Sequence, residues 1–262
     1  MTYSTHKSKQ KMPIFMIFMR FSMYLRQCVS LKILRNYRLI LAGETGTRLG
    51  SDTPKQYISV KGKMVITHCL HVFGIHPQID AIQIVAHEQW HAAIYRQIPD
   101  KAGRKFRGFS EPGTNRQRSI YHGLQDIMRY AQKSDTVIVH DAARPLVSAD
   151  MLSACVEACR EHDGVVPVLP MKDTVYLGDG RKITSLLDRG QVFVGQAPEA
   201  FMLGKYYEAN RCLMPDRLDR ISGSTEPAVM AGLDIAMIPG DEGNFKITTQ
   251  MDLNRFKILL GT

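Results

Sequence analysis

From residue 37 onward, this chain alternates short runs of Val, Ile, Leu and Ala with longer segments whose apolar residues recur every three or four positions. That alternation constrains the fold more than any other feature. Runs at 37–42, 81–86, 136–140 and 165–169 read as buried strands, and 64–73, 88–97, 115–130, 151–159 and 252–260 read as helices. In 115–130, for example, Ile120, Leu124 and Ile127 fall on one helical face. Shorter strands are expected at 193–195 and 233–238. Two β-favouring runs around Gly178-Asp179-Gly180 predict a hairpin within 173–185. Strands joined through helices run parallel, because a parallel connection needs a crossover, and the crossover helices then cover both faces. The expected fold is therefore α/β: a mostly parallel sheet with helices on both faces and a projecting β-arm at about 171–190. No internal repeat, low-complexity tract or linker interrupts the pattern after residue 36.

Charge divides the chain differently. The 262 residues hold 34 Lys and Arg against 25 Asp and Glu, a formal charge of +9 that taken whole suggests a polyanionic partner. Seven of those cations (Lys7, Lys9, Lys11, Arg20, Arg26, Lys32 and Arg35) lie within 1–35, which has no acidic residue. The remainder carries 27 basic against 25 acidic residues. No basic excess or basic–aromatic patch follows residue 35, so a nucleic-acid partner is not expected. The apolar run 14–19 is far shorter than the ~20 residues a bilayer requires, so no membrane partner is expected either. Residues 1–35 read as an N-terminal extension, disordered or lying before the true start, and 36–262 as the working domain. The five cysteines (Cys28, Cys69, Cys155, Cys159 and Cys212) are widely spread and odd in number, which does not suit a disulfide framework. Cys155 and Cys159 share a helical face as reduced core thiols, and the chain reads as cytoplasmic.

Open parallel sheets place ligands beyond the carboxyl ends of their strands. Three loops there carry candidate chemistry. The first is Leu41-Ala42-Gly43-Glu44-Thr45-Gly46-Thr47-Arg48-Leu49-Gly50, followed by Pro54-Lys55-Gln56. Glycines let backbone N–H groups approach phosphate oxygens, and Arg48 and Lys55 add positive charge. It is neither a Walker loop nor a dinucleotide fingerprint, and a plain Gly-rich turn is the alternative. The second is His140-Asp141-Ala142-Ala143-Arg144-Pro145, whose Asp suits a metal or a ribose, or else a structural pair with Arg144. The third runs from Gly243 to Thr249, where Lys246 can reach the same cleft and Thr249 can cap the last helix. Separately, His87-Glu88-Gln89-Trp90-His91 matches the zinc-protease H-E-x-x-H pattern, but His87 falls at a strand end and no third ligand follows. The alternative there is a helix start with Trp90 packing.

Taken together and in order, L-A-G-x-x-G-x-R-x-G with P-K-Q, then G-x-x-R-x-x-S, H-D-A-A-R-P and N-x-K-I-T-T, are far more specific than each alone. Over about 37–260 the chain resembles the 2-C-methyl-D-erythritol 4-phosphate cytidylyltransferases and the related ribitol 5-phosphate cytidylyltransferases. The resemblance implies a Rossmann-like nucleotidyltransferase domain that joins CTP to a polyol phosphate, with Mg²⁺ or another divalent cation. In it, Arg48, Lys55 and Lys246 match the catalytic cations around the triphosphate. Ala42, Gly43 and Gly46 match the nucleotide loop, Gly113 and Ser119 the cytosine-reading positions, and Asp141 and Ala142 the ribose and metal region. Arg144, Thr174 and Arg189 match contacts to the polyol phosphate, the last two on an arm that in the family crosses to a second subunit. A homodimer is therefore implied. The attacking phosphate monoester is mostly dianionic at neutral pH, its second pKa being ~6, so the implied reaction needs cations rather than a general base.

Two positions depart from the family pattern. Glu44 stands where the family has Gly in the nucleotide loop, and Gln196-Ala197-Pro198-Glu199 replaces Gln-Thr-Pro-Gln, removing a hydroxyl at Ala197. Methylerythritol phosphate, for isoprenoid precursor synthesis, leads as the substrate. Ribitol 5-phosphate, for cell-surface polymers, and a non-catalytic nucleotide-binding role are the alternatives.

Overall fold

Asn36–Leu41 (β1) is buried along its whole length and forms the middle of the sheet. The structure, a computed structural model, describes residues 34–44, 50 and 53–261, so the expectations for 1–33, Gly46 and Arg48 lie outside the described residues. Residues 35–262 form one unit. The other strands are β2 (Ser59–Val60), β3 (Lys63–Met64), β4 (Ala81–Val85), β5 (Phe106–Ser110), β6 (Thr136–Asp141), β7 (Gly164–Pro170), β8 (Val175–Gly178), β9 (Ile183–Leu187), β10 (Phe193–Gly195), β11 (Glu199–Met202) and β12 (Ile235–Pro239). The helices are α1 (Val65–Ile75), α2 (Glu88–Gln97), α3 (Asp100–Gly103), α4 (Arg116–Met128), α5 (Ala149–Ala158), α6 (Leu203–Arg211), α7 (Glu226–Met230) and α8 (Gln250–Leu259).

The main sheet runs β5-β4-β1-β6-β11-β7, with β10 and β12 also paired to β7. Strands β5, β4, β1 and β6 pair in parallel, as do β7 and β12. Strands β10 and β11 run antiparallel to their partners. Alternation along β1 feeds two cores. Tyr37, Leu39 and Leu41 pack with Ile120, Leu124 and Ile127 of α4 and with Leu203 and Tyr206 of α6. Ile40 and Ala42 pack with Ile66, Leu70 and Phe73 of α1 and with Leu152 and Cys155 of α5. Each such fully buried aliphatic side chain contributes about 1.5–3 kcal/mol relative to exposure. Gly123 lets α4 settle closely on β1, since a Cβ there would meet Leu39 Cδ2 at 2.9 Å. Arg38 shares the Ile40 side of the strand and lays its guanidinium 3.9 Å from the centre of the Phe73 ring.

Two strands of the sheet, β5 and β11, escape the sequence pattern. Phe106-Arg-Gly-Phe-Ser lies at the sheet edge, takes a positive φ of 139° at Gly108, and pairs with β4 through a register shift at Ile82/Gln83. Strand β11 is four residues long and buries Glu199, so neither the length nor the alternation of a core strand is visible in it. The arm forms as a separate two-stranded ladder of β8 and β9, closed by a turn in which Asp179 accepts from the amides of Arg181 and Lys182.

The direction in which strands are added to the sheet reverses at β1. The connection from β1 leads through α1 to β4 on one side, and β6 enters on the other side. The loops leaving the carboxyl ends of β1 and β6 therefore diverge at a topological switch point, where open α/β sheets bind ligands.

Candidate functional site

Asp141 ends β6 and is 7% exposed. Arg116 Nη2 lies 3.0 Å from its Oδ1, and Lys246 Nζ 3.1 Å and Arg144 Nε 3.7 Å from its Oδ2. Burial alone would raise the Asp141 pKa, but Arg116, Lys246 and Arg144 outweigh it and hold the carboxyl far below the usual carboxylate range. Burial likewise works against the charge of Arg116, and Asp141 overcomes it, raising that guanidinium further. For Arg144 burial wins and its pKa is lowered, opposed by Asp141.

Three different strand ends deliver these groups. After β5, the segment 111–115 leads into α4, which places Arg116 in its first turn; the Asn115 side chain caps that helix by accepting from the Arg118 amide at 2.8 Å. After β6, the turn 141–144 is pinned by His140, whose Nε2 lies 3.0 Å from the Arg144 carbonyl and donates to it. Burial, reinforced by Arg38, pushes the His140 pKa down to about 3, so the ring stays neutral. After β12, the segment leading to α8 is stitched onto that turn. Arg144 Nη1 donates to the Asn244 carbonyl at 2.6 Å, and the Ile247 amide donates to the Ala143 carbonyl at 2.8 Å. Gln196 clamps the same segment twice, through the amide and the carbonyl of Asp241. Thr249 caps α8 in a reciprocal capping box with Asp252. Lys246 is thus projected between two fixed points.

The loop after β1 is held by its own downstream neighbours. Gln56 Nε2 donates to the carbonyls of Ala42 and Glu44 at 2.6 and 2.7 Å, and Tyr57 Oη donates to Ala42 at 2.7 Å. Tyr57 is in turn stacked on Trp90 with ring centres 4.2 Å apart. Between Pro54 and Gln56, Lys55 sits almost fully buried, and burial lowers its pKa against the opposing pull of Glu44. Glu44 Oε2 lies 3.4 Å from Lys55 Nζ and Oε1 3.9 Å from Lys246 Nζ. One carboxylate therefore links the first loop to the Asp141 cluster.

Gly43 and Gly113 have no room for a Cβ, the first against the Pro112 ring and the second against the backbone at the start of α4. A Cβ on Gly43 would lie 2.7 Å from Pro112 Cβ, and one on Gly113 would lie 2.8 Å from the Ser119 amide nitrogen. The Gly113 amide donates to Ser119 Oγ at 3.0 Å, and that hydroxyl donates on to the Asn115 carbonyl. Ala142 is buried and its amide donates to the Leu41 carbonyl, tying β6 to β1 at the mouth of the cleft.

Lys55, Asp141, Arg144 and Lys246 thus converge, with Ala42, Gly43 and Ala142 at the rim. Thr174 and Arg189 stand apart on the arm: Arg189 Nη1 donates to the Lys172 carbonyl at 2.9 Å, and among the described residues neither side chain bonds the Asp141 cluster. Sequence reasoning gave no role to Arg116, Gln56, Tyr57 or Glu199. Glu199 is buried, accepts from Ser224 and Thr225, and has its pKa raised by burial, with Arg116 pulling it down. The H-E-x-x-H segment does not form a zinc-protease face. His87 precedes α2 as its N-cap, and His91 donates to the Ala86 carbonyl while its ring lies flat on Phe109, 3.8 Å between centres. Among the described residues no group of three or more His, Cys, Asp or Glu side chains is arranged to hold a metal ion.

Fold and cleft define an α/β protein whose switch point gathers more cations than carboxylates, suited to a small polyanion. A family model, 2-C-methyl-D-erythritol 4-phosphate cytidylyltransferase, matches residues 37–262, and the chain belongs to that family. It is 32% identical over 224 residues to a bifunctional enzyme IspD/IspF of Paramagnetospirillum magneticum, covering 84% of this chain and 56% of the relative. It is 33% identical over 232 residues to another of Rhodopseudomonas palustris, covering 87% and 57%. The chain thus spans a little over half the length of these curated relatives. Among solved structures it resembles the 2-C-methyl-D-erythritol 4-phosphate cytidylyltransferase of Francisella tularensis, with a TM-score of 0.73, 25% identity and coverage of 86% and 99%. A 4-diphosphocytidyl-2C-methyl-D-erythritol synthase superposes with a TM-score of 0.72 and 25% identity, covering 87% and 98%.

Proposed function

We propose that this chain transfers the cytidylyl group of CTP to 2-C-methyl-D-erythritol 4-phosphate, releasing pyrophosphate. The convergence of Lys55, Lys246, Arg116 and Arg144 on one cleft is the observation that carries this reading. Family membership selects the chemistry, and the names of the relatives favour methylerythritol phosphate over ribitol 5-phosphate.

In this reaction an oxygen of the dianionic phosphate monoester forms a bond to the α-phosphorus of CTP. The bond from that phosphorus to the bridging oxygen breaks, and the electron pair leaves with pyrophosphate. No proton need be removed from the nucleophile. The obstacle is the approach of two anions and the charge that develops on the leaving group, and preorganised cations in a partly dry cleft act on both. Lys55 and Lys246 would flank the triphosphate. Arg116 and Arg144 are held beside the cleft by Asp141 and would be in place before substrate arrives. The base would lie beside Gly43, packed on the Pro112 ring, and Gly113, packed on the start of α4. Arg48, which precedes Lys55 in the same loop, would add a further cation.

A divalent cation belongs to this reading, with Asp141 the carboxylate that would hold it, its oxygens being shared with Arg116, Lys246 and Arg144. Magnesium is commonly held by one or two carboxylates together with substrate phosphates and water, and Asp141 is ionised at the cleft. When bound there it would neutralise phosphate charge.

The arm supports a homodimer. Tyr176, Leu177, Ile183 and Leu186 on β8 and β9 are all exposed, an apolar surface that a second copy would cover. Thr174 and Arg189, remote from the cluster of their own chain, would then reach the partner's polyol phosphate. Residues 36–262 form the catalytic domain in this reading, with 1–35 an extension. The reduced, buried thiols of Cys69, Cys155 and Cys159 suit a cytoplasmic setting. No helix among the described residues is long and apolar enough to cross a membrane.

The test is pyrophosphate release from CTP with methylerythritol phosphate, and with ribitol 5-phosphate as the comparison. Turnover with the first and little with the second is expected. Preference for ribitol 5-phosphate overturns the substrate assignment, and silence with both, with CTP binding intact, overturns the catalytic one.

A further inference from the structure

Glu44 is positioned by its backbone, and its carboxylate is ion-paired but partly exposed. Its carbonyl accepts from Gln56, which also holds Ala42, so the residue cannot drift from the cleft. Its carboxylate is about one-third exposed and faces two ammonium groups, Lys55 at 3.4 Å and Lys246 at 3.9 Å. Lys55 is 4% exposed and has no other ion-pair partner among the described residues. Lys246 is shared, its other partner being Asp141. A carboxylate oxygen and a phosphate oxygen are both anionic acceptors for the same N–H donors, and a buried ammonium without either is strongly disfavoured.

The two carboxylates of the cleft are not equivalent. Asp141 is nearly buried and held by three cations, so it belongs to the permanent framework. Glu44 reaches in from a loop, is solvent-accessible, and has looser contacts.

We propose that Glu44 is a resident counter-anion of the cleft: it occupies Lys55 and Lys246 in the ligand-free protein, is displaced by the polyphosphate, and so sets nucleotide affinity. This rests on the cleft being the polyphosphate site. Displacement exchanges one ion pair for another, so the affinity gained from the lysines is reduced by the pair given up. The Gly usual in the family at this position gives up nothing, and a chain bearing Glu there binds nucleotide more weakly while keeping its lysines charged and ordered between turnovers.

Calorimetric titration with inorganic pyrophosphate in metal-free buffer, and with CTP plus Mg²⁺, tests this on the wild type, Glu44→Gln and Glu44→Gly. Both variants should bind pyrophosphate roughly two- to fivefold more tightly at low salt, the scale expected when one partly exposed charge is removed, and the gain should shrink as salt rises. The KM for CTP should fall by a similar factor with kcat changed less than threefold, a split that a merely structural loop residue would not give. Affinity for pyrophosphate that is unchanged or weakened in both variants overturns the inference. So does weaker CTP binding confined to the Mg²⁺ arm, which would make Glu44 a metal ligand. Failure of the wild type itself to bind either probe overturns the polyphosphate reading of the cleft, a separate result.

Discussion

Replacing Asp141 with Asn removes one charge and almost no volume from the centre of the cationic cluster. The carboxylate is nearly buried, with Arg116 and Lys246 at 3.0 and 3.1 Å and Arg144 at 3.7 Å. At ~3 Å and an effective dielectric of ~20, each close pair has a Coulomb energy on the order of 5 kcal/mol. Most of that is offset by the desolvation of both partners, so the sum is not the stability contributed. The cost of the substitution comes from the cations left facing one another. Breaking a buried pair in this way costs about 3–5 kcal/mol. For a domain of this size each kcal/mol shifts Tm by about 2–4 °C, so Asp141→Asn should lower Tm by roughly 6–20 °C. The pH dependence has a definite sign. The folded pKa of Asp141 lies below its unfolded value of ~3.9, so the stabilisation is complete above that value and is lost as pH falls towards the folded one. Thermal unfolding followed by circular dichroism should give a constant gap between wild type and variant from pH 8 to about pH 5, narrowing only below about pH 4. A Tm within ~2 °C of wild type at pH 7, or a gap that closes by pH 6, would refute the reasoning that Asp141 is the anionic keystone of the cluster.

Lys246→Met should lower kcat/KM for pyrophosphate release by roughly 30- to 1,000-fold, equivalent to about 2–4 kcal/mol for one charge-stabilising donor; a change under threefold in steady-state kinetics argues against its role. The rate profile should fall on the acid side near pH ~6, where the phosphate monoester takes up its second proton. On the basic side it should fall below the ordinary lysine value of 10.5, because burial lowers the Lys55 pKa and a higher pH then removes its charge; a rate that stays flat to pH 10.5 would contradict that. Glu44→Gln should lower the KM for CTP with kcat nearly kept, as the Glu44–lysine contacts require.

How much of this could be read before the fold was known depends on how local each feature is. Strands β1, β4, β6 and β7 are mostly apolar runs, interrupted by Arg38 in β1 and Gln83 in β4, and helix α4 keeps a clear period, so the mostly parallel sheet and its two covered faces follow from sequence alone. Strands β5 and β11 do not, because one bends at Gly108 on an edge and the other buries Glu199 through hydroxyl partners brought from the 224–225 segment. Asp141 and Lys246 are visible because each follows a strand end in a distinctive loop. Arg116 lies in a run of polar residues at a helix start and resembles a solvated arginine until α4 is docked beside β6; its partner is 25 positions away. Glu44 is visible as a departure from the family pattern, but its direction is not, since that depends on Gln56 folding back on its carbonyl. Thr174 and Arg189 follow only from resemblance, and within one chain they remain on the arm.

The central claim is that these cations serve cytidylyl transfer. Its most direct test is pyrophosphate released on mixing the protein with CTP, Mg²⁺ and 2-C-methyl-D-erythritol 4-phosphate. The account predicts stoichiometric pyrophosphate and CDP-methylerythritol, abolished by omitting either substrate. Bound CTP that is never cleaved in the presence of the polyol phosphate would contradict it.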